Sequence, residues 1–271
     1  MNPTEFSLQA QLYHHLRNKQ PLAIAWSGGL DSTALVLFSH FNRIKYISFT
    51  LIGPHITEHE LKHILNLRNE KFLKHVFFYA DYRFEPRILK NCKRRCYYCK
   101  HFLFSKPVQF FAPDFTIIDG TNASDFQDHR PGILSLQELG ITSPFADLGI
   151  GKSQIMELAL HLRLDKHPHE SRSCILTRFE YGIPLDDLLV AKIRAVEDYL
   201  LENRIIGFRF RMLRTNSFIL QIADNHQKHF YDIREGLEEM ITSLGLFPYE
   251  VHFLAYDRIT GFFDQEKNGR Q

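Results

Sequence analysis

A short apolar run, Leu22–Trp26, passes without a break into Ser27-Gly28-Gly29-Leu30-Asp31-Ser32-Thr33, and a second apolar stretch, Thr33–Phe41, follows at once. A buried strand, a glycine turn and a helix in that order suit the capture of a phosphate chain. Adjacent glycines let the main chain turn sharply and leave room for oxygens to approach backbone N–H groups. The open N–H groups at the helix start, with the helix dipole behind them, attract an anion. Ser27, Ser32 and Thr33 add hydroxyls, and Asp31 can hold Mg²⁺ or cap the helix. The Gly-Lys-Ser/Thr of the Walker loop is absent, so this is a different class of phosphate loop.

The strand–turn–helix unit recurs in looser form. Ile44–Leu51, Val76–Tyr79 and Thr116–Asp119, the last ending in Gly120, read as strands. Thr57 and Glu60 form a capping box that opens a helix running to about Arg68, and Lys152–Leu162 reads as another helix. Strands alternating with helices predict an α/β fold with a doubly wound parallel sheet. From Ile183 the pattern changes. A long amphipathic helix over Leu185–Asn203 precedes paired strands at Phe208–Leu213 and Phe218–Ala223, a helix at His226–Leu244 and a strand at Val251–Tyr256. The expectation is a nucleotide domain over 1–182 and a smaller C-terminal α+β domain over 183–271, joined through Pro168–Pro184; the second domain would bind substrate or mediate assembly.

With 271 residues the chain is long enough for two such domains. Thirty-three basic against 31 acidic residues leave a net charge of +2, too weak a field for a dedicated nucleic-acid binder. No apolar stretch reaches the roughly 18 residues of a membrane span, and Pro3, Glu5 and Gln9 interrupt any apolar leader. A cytoplasmic protein with no membrane partner is expected. Of the four cysteines, Cys92, Cys96 and Cys99 lie together and Cys174 stands apart. In a reducing compartment such thiols read as metal ligands or reactive groups, not disulfides. Cys96 and Cys99 form a C-x-x-C in a basic run (Lys90, Lys93, Arg94, Arg95, Lys100), where nearby positive charge favours thiolates. Half a zinc site, a redox pair and two ligands of an iron–sulfur cluster all remain open, with Cys174 available as a third thiolate or as a nucleophile.

Together these motifs resemble the LarE family, within the ATP pyrophosphatase (PP-loop) superfamily. The resemblance covers most of the chain and is best from Trp26 to Gly182. It rests on SGGLDS at 27–32, Arg95-Cys96-Tyr97-Tyr98-Cys99-Lys100, Asp119-Gly120-Thr121-Asn122, Asp125 with Asp128 and Arg130-Pro131-Gly132, and Cys174 with Arg178, Tyr181 and Gly182. Arg209-Phe210-Arg211 resembles the Arg-x-Arg of the family's C-terminal half. The resemblance implies an adenine nucleotide alpha hydrolase-like fold and an AMP-forming enzyme that adenylates a carboxylate with ATP and Mg²⁺, then acts as a sulfur transferase, as in nickel-pincer nucleotide cofactor synthesis. The implied nucleotide-binding residues are Ser27, Gly28, Gly29, Asp31, Ser32, Thr33, Gly120, Asn122, Arg130 and Lys152. Asp31 and Cys174 are the implied catalytic residues. Cys96, Cys99 and Cys174 are the implied metal ligands, for a [4Fe–4S] cluster in one branch of the family; in the other branch the cysteine equivalent to Cys174 surrenders its own sulfur. The cluster branch is the one these three cysteines favour. A small nucleotide-like carboxylate is the implied substrate and a homo-oligomer the implied assembly. A tRNA-thiolating enzyme and a nucleotide sensor without sulfur chemistry are the alternatives. The chain departs from the family pattern in three places: after Lys152, Gln154 and Met156 stand where an acid and an arginine are usual; the segment from Pro168 to Cys174 is two residues longer and charged; and Gln221 replaces an acid on the second paired strand.

Overall fold

The structure is a computed structural model and describes residues 3–127, 131–164, 173–259 and 262–265. In chain order the elements are α1 (Pro3–Lys19), β1 (Leu22–Ala25), α2 (Leu30–Phe41), β2 (Tyr46–Ile52), α3 (Glu58–Lys71), β3 (His75–Tyr79), α4 (Pro86–Leu89), α5 (Arg95–Phe111), β4 (Thr116–Ile118), α6 (Pro131–Glu138), α7 (Pro144–Asp147) and α8 (Lys152–His161). Then come α9 (Asp187–Glu202), β5 (Phe208–Met212), β6 (Phe218–Ala223), α10 (Gln227–Ser243), β7 (Tyr249–Leu254), α11 (Tyr256–Ile259) and α12 (Phe262–Gln265). They form two compact units, one of residues 1–85 and 96–171, the other of 86–95 and 172–271.

The first unit is built on a parallel sheet in the order β3-β2-β1-β4. Both faces are covered, which is why its strands read as apolar runs without alternation. Leu22 and Ile24 of β1 face a cluster containing Leu12 and Leu16 of α1, Leu35 of α2, and Ile155 and Leu158 of α8. Ala23, on the opposite face, joins Phe49, Phe78, Phe111, Ile117 and Leu136. Helices on both faces of a parallel sheet make this the expected doubly wound α/β fold. From β1 the chain winds through β2 to β3 on one side, then crosses to β4 on the other. The crevice at the carboxyl ends of β1 and β4 is therefore the topological switch point, where open α/β sheets bind ligands. The capping box is present: Thr57 Oγ1 accepts from Glu60 N–H at 3.2 Å, and Glu60 Oε2 accepts from Thr57 N–H at 2.8 Å. No helix among the described residues is long and apolar enough to cross a membrane.

The second unit has a sheet ordered β5-β6-β7, with β5 antiparallel and β7 parallel to β6. Val190, Ile193, Val196 and Leu200 form the buried stripe of α9. The expected boundary at residue 182 falls inside this unit, because the fully buried Asn91 ties 86–95 to the segment around Gly182. Asn91 Nδ2 donates to the carbonyls of Glu180 and Ile183, both at 2.9 Å, and Asn91 O accepts from Gly182 N–H at 2.9 Å. Leu185 N–H bonds Leu89 O at 2.9 Å. Arg95 Nη1 bonds Asn91 Oδ1 and, at 2.8 Å, Leu176 O.

Candidate active site

The phosphate loop leaves β1 at its carboxyl end and enters α2. Gly28 has φ +82°, a left-handed conformation natural to glycine, and a Cβ there would stand 3.0 Å from Ile64 Cγ1. Gly29 is the N-cap of α2 and, as a glycine, brings no capping side chain of its own. The N–H groups of the first turn point along the helix axis toward the switch point, the direction from which a helix N-terminus receives an anion. The hydroxyls brace the loop. Ser32 Oγ donates to Gly29 O at 3.1 Å and accepts from Ser27 N–H at 3.2 Å, while Ser27 Oγ accepts from Gly29 N–H at 3.3 Å. Ser27 is exposed and Asp31 half-buried. Thr33 is fully buried and its Oγ1 accepts the indole N–H of Trp26 at 2.9 Å, so this hydroxyl turns inward.

The segment after β4 closes the other side. A Cβ on Gly120 would lie 2.8 Å from Ser32 N and 2.9 Å from Ser32 Cα, so only glycine allows the two loops to meet this closely. Asp119 Oδ1 accepts from Ser143 Oγ at 2.6 Å and its Oδ2 from Thr121 Oγ1 at 2.5 Å. Asn122 is fully buried. Its Nδ2 donates to Asp31 Oδ2 at 2.8 Å, its Oδ1 accepts from Ser124 N–H at 2.9 Å, and its own N–H bonds Asp125 Oδ2 at 3.0 Å. Here Asn122 orients the Asp31 carboxylate. Lys152 is exposed at the first turn of α8, with its N–H on Ser124 Oγ at 3.2 Å. A cation at a helix N-terminus opposes the dipole and is suited to an anion held there. Gln154 Oε1 accepts from Gly151 N–H at 2.9 Å, the capping contact that a glutamate would also make. The structure thus brings Ser27 to Ser32, Gly120 and Asn122 together at the carboxyl ends of β1 and β4, with the start of α8 at Lys152 tied to Ser124 beside them, while Thr33 faces the core. Arg130, with Asp128, lies outside the described residues.

Cys96 and Cys99 sit half-buried in the first turns of α5, and Gly132 lets α6 approach there: a Cβ on Gly132 would lie 2.8 Å from Lys100 Cδ and 3.3 Å from Cys96 O. Among the described residues, no group of three or more His, Cys, Asp or Glu is placed to hold a metal ion.

Cys174 belongs to the second unit. It is exposed and is the N-cap of a single 3-10 turn, Ile175–Arg178, with its carbonyl accepting from Thr177 Oγ1 at 2.7 Å. Behind that turn Arg178, fully buried, forms a two-pronged pair with Glu197, at 2.5 Å from Nε to Oε1 and 3.0 Å from Nη2 to Oε2. Burial by itself raises the Glu197 carboxyl, but Arg178, Arg209 and the Phe210 N–H outweigh it and hold the group below the usual carboxylate range. Arg209 Nε reaches Ser173 Oγ at 3.2 Å, as Arg178 Nη1 does at 2.9 Å. Arg211 donates to Gln221 Oε1 at 2.8 Å and Thr177 O at 3.0 Å. Arg178, Arg209 and Arg211 are all buried, the first two beside the buried Glu197 carboxylate. Sequence reasoning found the arginines and Cys174 but missed Glu197, Ser173 and Thr177. Glu197 had a signal, because it is an acid on the buried stripe of α9, four residues after Ile193.

No protein-family model matches the chain. An uncharacterized protein of Methanocaldococcus jannaschii is 34% identical over 82% of this chain and 84% of its own length. A second uncharacterized protein, from Synechocystis sp., is 28% identical over 73% of this chain and 74% of its own. The pyridinium-3,5-bisthiocarboxylic acid mononucleotide synthase of Lactiplantibacillus plantarum is 27% identical over 88% of this chain and 87% of its own. Among solved structures, NMN synthetase from Francisella tularensis superposes with a TM-score of 0.46 at 16% identity, over 64% of this chain and 76% of that one.

Proposed function

The chain belongs to the LarE-like family of the PP-loop superfamily, and from that premise we propose that it adenylates a carboxylate of a small nucleotide-like substrate and then transfers sulfur to it through Cys174. The observation that carries the first half is the close approach of Gly120 to the first turn of α2 at the switch point. Backbone N–H groups of the loop would receive the β- and γ-phosphates, and Lys152 would add a cation beside them. Mg²⁺ takes one or two carboxylates and otherwise binds phosphate oxygens and water. Asp31, oriented by Asn122, fits that need, and the ion would supply charge neutralisation on the phosphates. A substrate carboxylate oxygen then bonds the α-phosphorus, the bond from that phosphorus to the bridging oxygen breaks, and pyrophosphate leaves.

The second half falls to residues of the other unit. The arginines around the turn that Cys174 caps suit an anionic substrate, and the thiolate is the form of Cys174 that reacts. The thiolate attacks the acyl-adenylate carbonyl, and AMP departs with the electron pair of its bond to that carbon. Loss of the Cys174 Cα proton then forms a Cα–Cβ double bond and breaks Cβ–Sγ, leaving sulfur on the substrate and dehydroalanine in the chain. A [4Fe–4S] cluster on Cys96, Cys99 and Cys174 is the alternative source of the sulfur, and the mass and iron measurements below separate the two.

The test uses ATP, Mg²⁺ and a pyridinium dicarboxylate mononucleotide. The native protein should release pyrophosphate, transfer one sulfur per chain and lose one H₂S in mass. Cys174→Ala should keep substrate-dependent pyrophosphate release and transfer no sulfur. Sulfur transfer by the alanine variant would contradict the scheme. So would stoichiometric iron and sulfide in anaerobically purified protein that turns over repeatedly without loss of mass.

A further inference from the structure

We infer that Trp26 is a positioning residue of the phosphate loop: its indole N–H, bound to the Thr33 hydroxyl, ties the first turn of the loop to its last and fixes the shape that receives the polyphosphate. This rests on the reading of that loop as the ATP site. Trp26 immediately precedes Ser27, and Thr33 is the last residue of the motif. They are 1% and 0% exposed, and the bond between them is 2.9 Å long. It closes a ring across the loop from inside the core, where no water competes for either group.

Trp26 itself is held on every side. Its N–H bonds Phe49 O at 2.8 Å and its carbonyl accepts from Thr50 Oγ1 at 2.5 Å, so the backbone cannot shift along β1. Its ring meets His75 edge-on, with centroids 5.1 Å apart and planes at 89°. His75 is fixed in turn. Ser48 Oγ donates its one proton to Lys74 O at 2.8 Å, so at 2.9 Å from His75 Nδ1 it is the acceptor and the imidazole proton sits on Nδ1. Burial, with Arg68 nearby, pushes this histidine down to about 4, so a neutral ring backs the indole at ordinary pH. The consequence is a division of labour within the motif. Thr33 is spent on the scaffold from inside the core and Ser32 on bracing the loop, while the exposed Ser27 and the backbone at the start of α2 are on the ligand's side.

Steady-state pyrophosphate release, with ATP and the carboxylate substrate varied separately, tests this on Trp26→Phe, Thr33→Val, Thr33→Ser and the Trp26→Phe/Thr33→Val double variant. Removing the indole N–H leaves a buried oxygen unsatisfied, and removing the hydroxyl leaves a buried N–H unsatisfied. Each should raise KM for ATP about tenfold and leave KM for the carboxylate substrate unchanged. The double variant should be no worse than either single one, since both remove the same bond. Thr33→Ser, which keeps the oxygen, should restore KM to within about twofold. Trp26 is the single tryptophan of the chain, so ATP should also change the native fluorescence with a midpoint matching its affinity by calorimetry. Additive losses in the double variant, equal losses for both substrates, or an unchanged KM for ATP in Thr33→Val would overturn the inference. If Trp26→Phe does not fold, the valine and serine variants of Thr33 decide it. Native protein that binds no ATP would instead sink the loop reading, a result distinguishable from all of these.

Discussion

Gly120→Ala is the substitution for which the structure gives the most definite expectation. The new Cβ would stand 2.8 Å from Ser32 N and 2.9 Å from Ser32 Cα, where ordinary contact begins at 3.4 Å. Both obstacles are backbone atoms, which no rotamer change can move aside, so the first turn of α2 must retreat by about 0.6 Å, the difference between 3.4 and 2.8 Å. A misplacement of about 1 Å in a catalytic array costs on the order of a hundredfold, so a shift of this size should lower kcat/KM for pyrophosphate release by about ten- to thirtyfold. Overpacking of this kind costs about 1–3 kcal/mol. At about 2–4 °C per kcal/mol for a unit of this size, Tm should fall by about 2–12 °C. Gly245→Ala is the control. Its φ of +69° makes alanine strained, but nothing lies within 4 Å of the added Cβ. It should cost about 1–2 kcal/mol of stability and leave pyrophosphate release intact. Steady-state kinetics and thermal unfolding read both variants. Gly120→Ala with native kcat/KM and native Tm would refute the close approach of the two loops and the site built on it.

Other expectations follow from the same geometry. Asp31→Ala should abolish pyrophosphate release while Cys174 stays as reactive to a thiol reagent as in the native protein; appreciable release would remove Asp31 from the mechanism. Glu197→Gln leaves Arg178 buried without its counter-charge and should cost about 3–5 kcal/mol in denaturant unfolding; a loss under 1 kcal/mol would show that the pair is not buried in solution. Because the Glu197 carboxyl is held below its ordinary value, its contribution is present above the unfolded carboxylate pKa and is lost as pH falls through the folded one. The stability difference between native and Glu197→Gln should therefore shrink as the solution is made acidic below about pH 4. A difference constant down to pH 2 would contradict the linkage.

What was legible in the sequence was what short-range chemistry determines. The phosphate loop needs a buried strand, two glycines and a helix start within a dozen residues, and all three are visible without the fold. The alternation of strands and helices gave the parallel sheet, and the Thr57 capping box gave the start of α3. Long-range partners were not legible. Asn91 reads as an ordinary polar residue until the fold places Glu180 and Ile183 around it. Helix α1 has no counterpart in the sequence reading. Its buried positions, Leu12 and Leu16, recur every four residues, but polar neighbours surround them and only the rest of the core marks them as interior. Gln154 shows the opposite case, where the residue was noticed as a missing acid and its role as an N-terminal cap emerged from the bond to Gly151. Glu197 was hidden because an acid on an apolar stripe has meaning only once Arg178 is known to lie opposite.

The central claim is that ATP is cleaved between its α- and β-phosphates at the loop after β1. The direct measurement is chromatography of the nucleotide products, with phosphate and pyrophosphate assayed separately, after single-turnover incubation with Mg²⁺-ATP and a pyridinium dicarboxylate substrate. The account predicts AMP and pyrophosphate in equal amounts and only in the presence of substrate. ADP and inorganic phosphate as the products would contradict it.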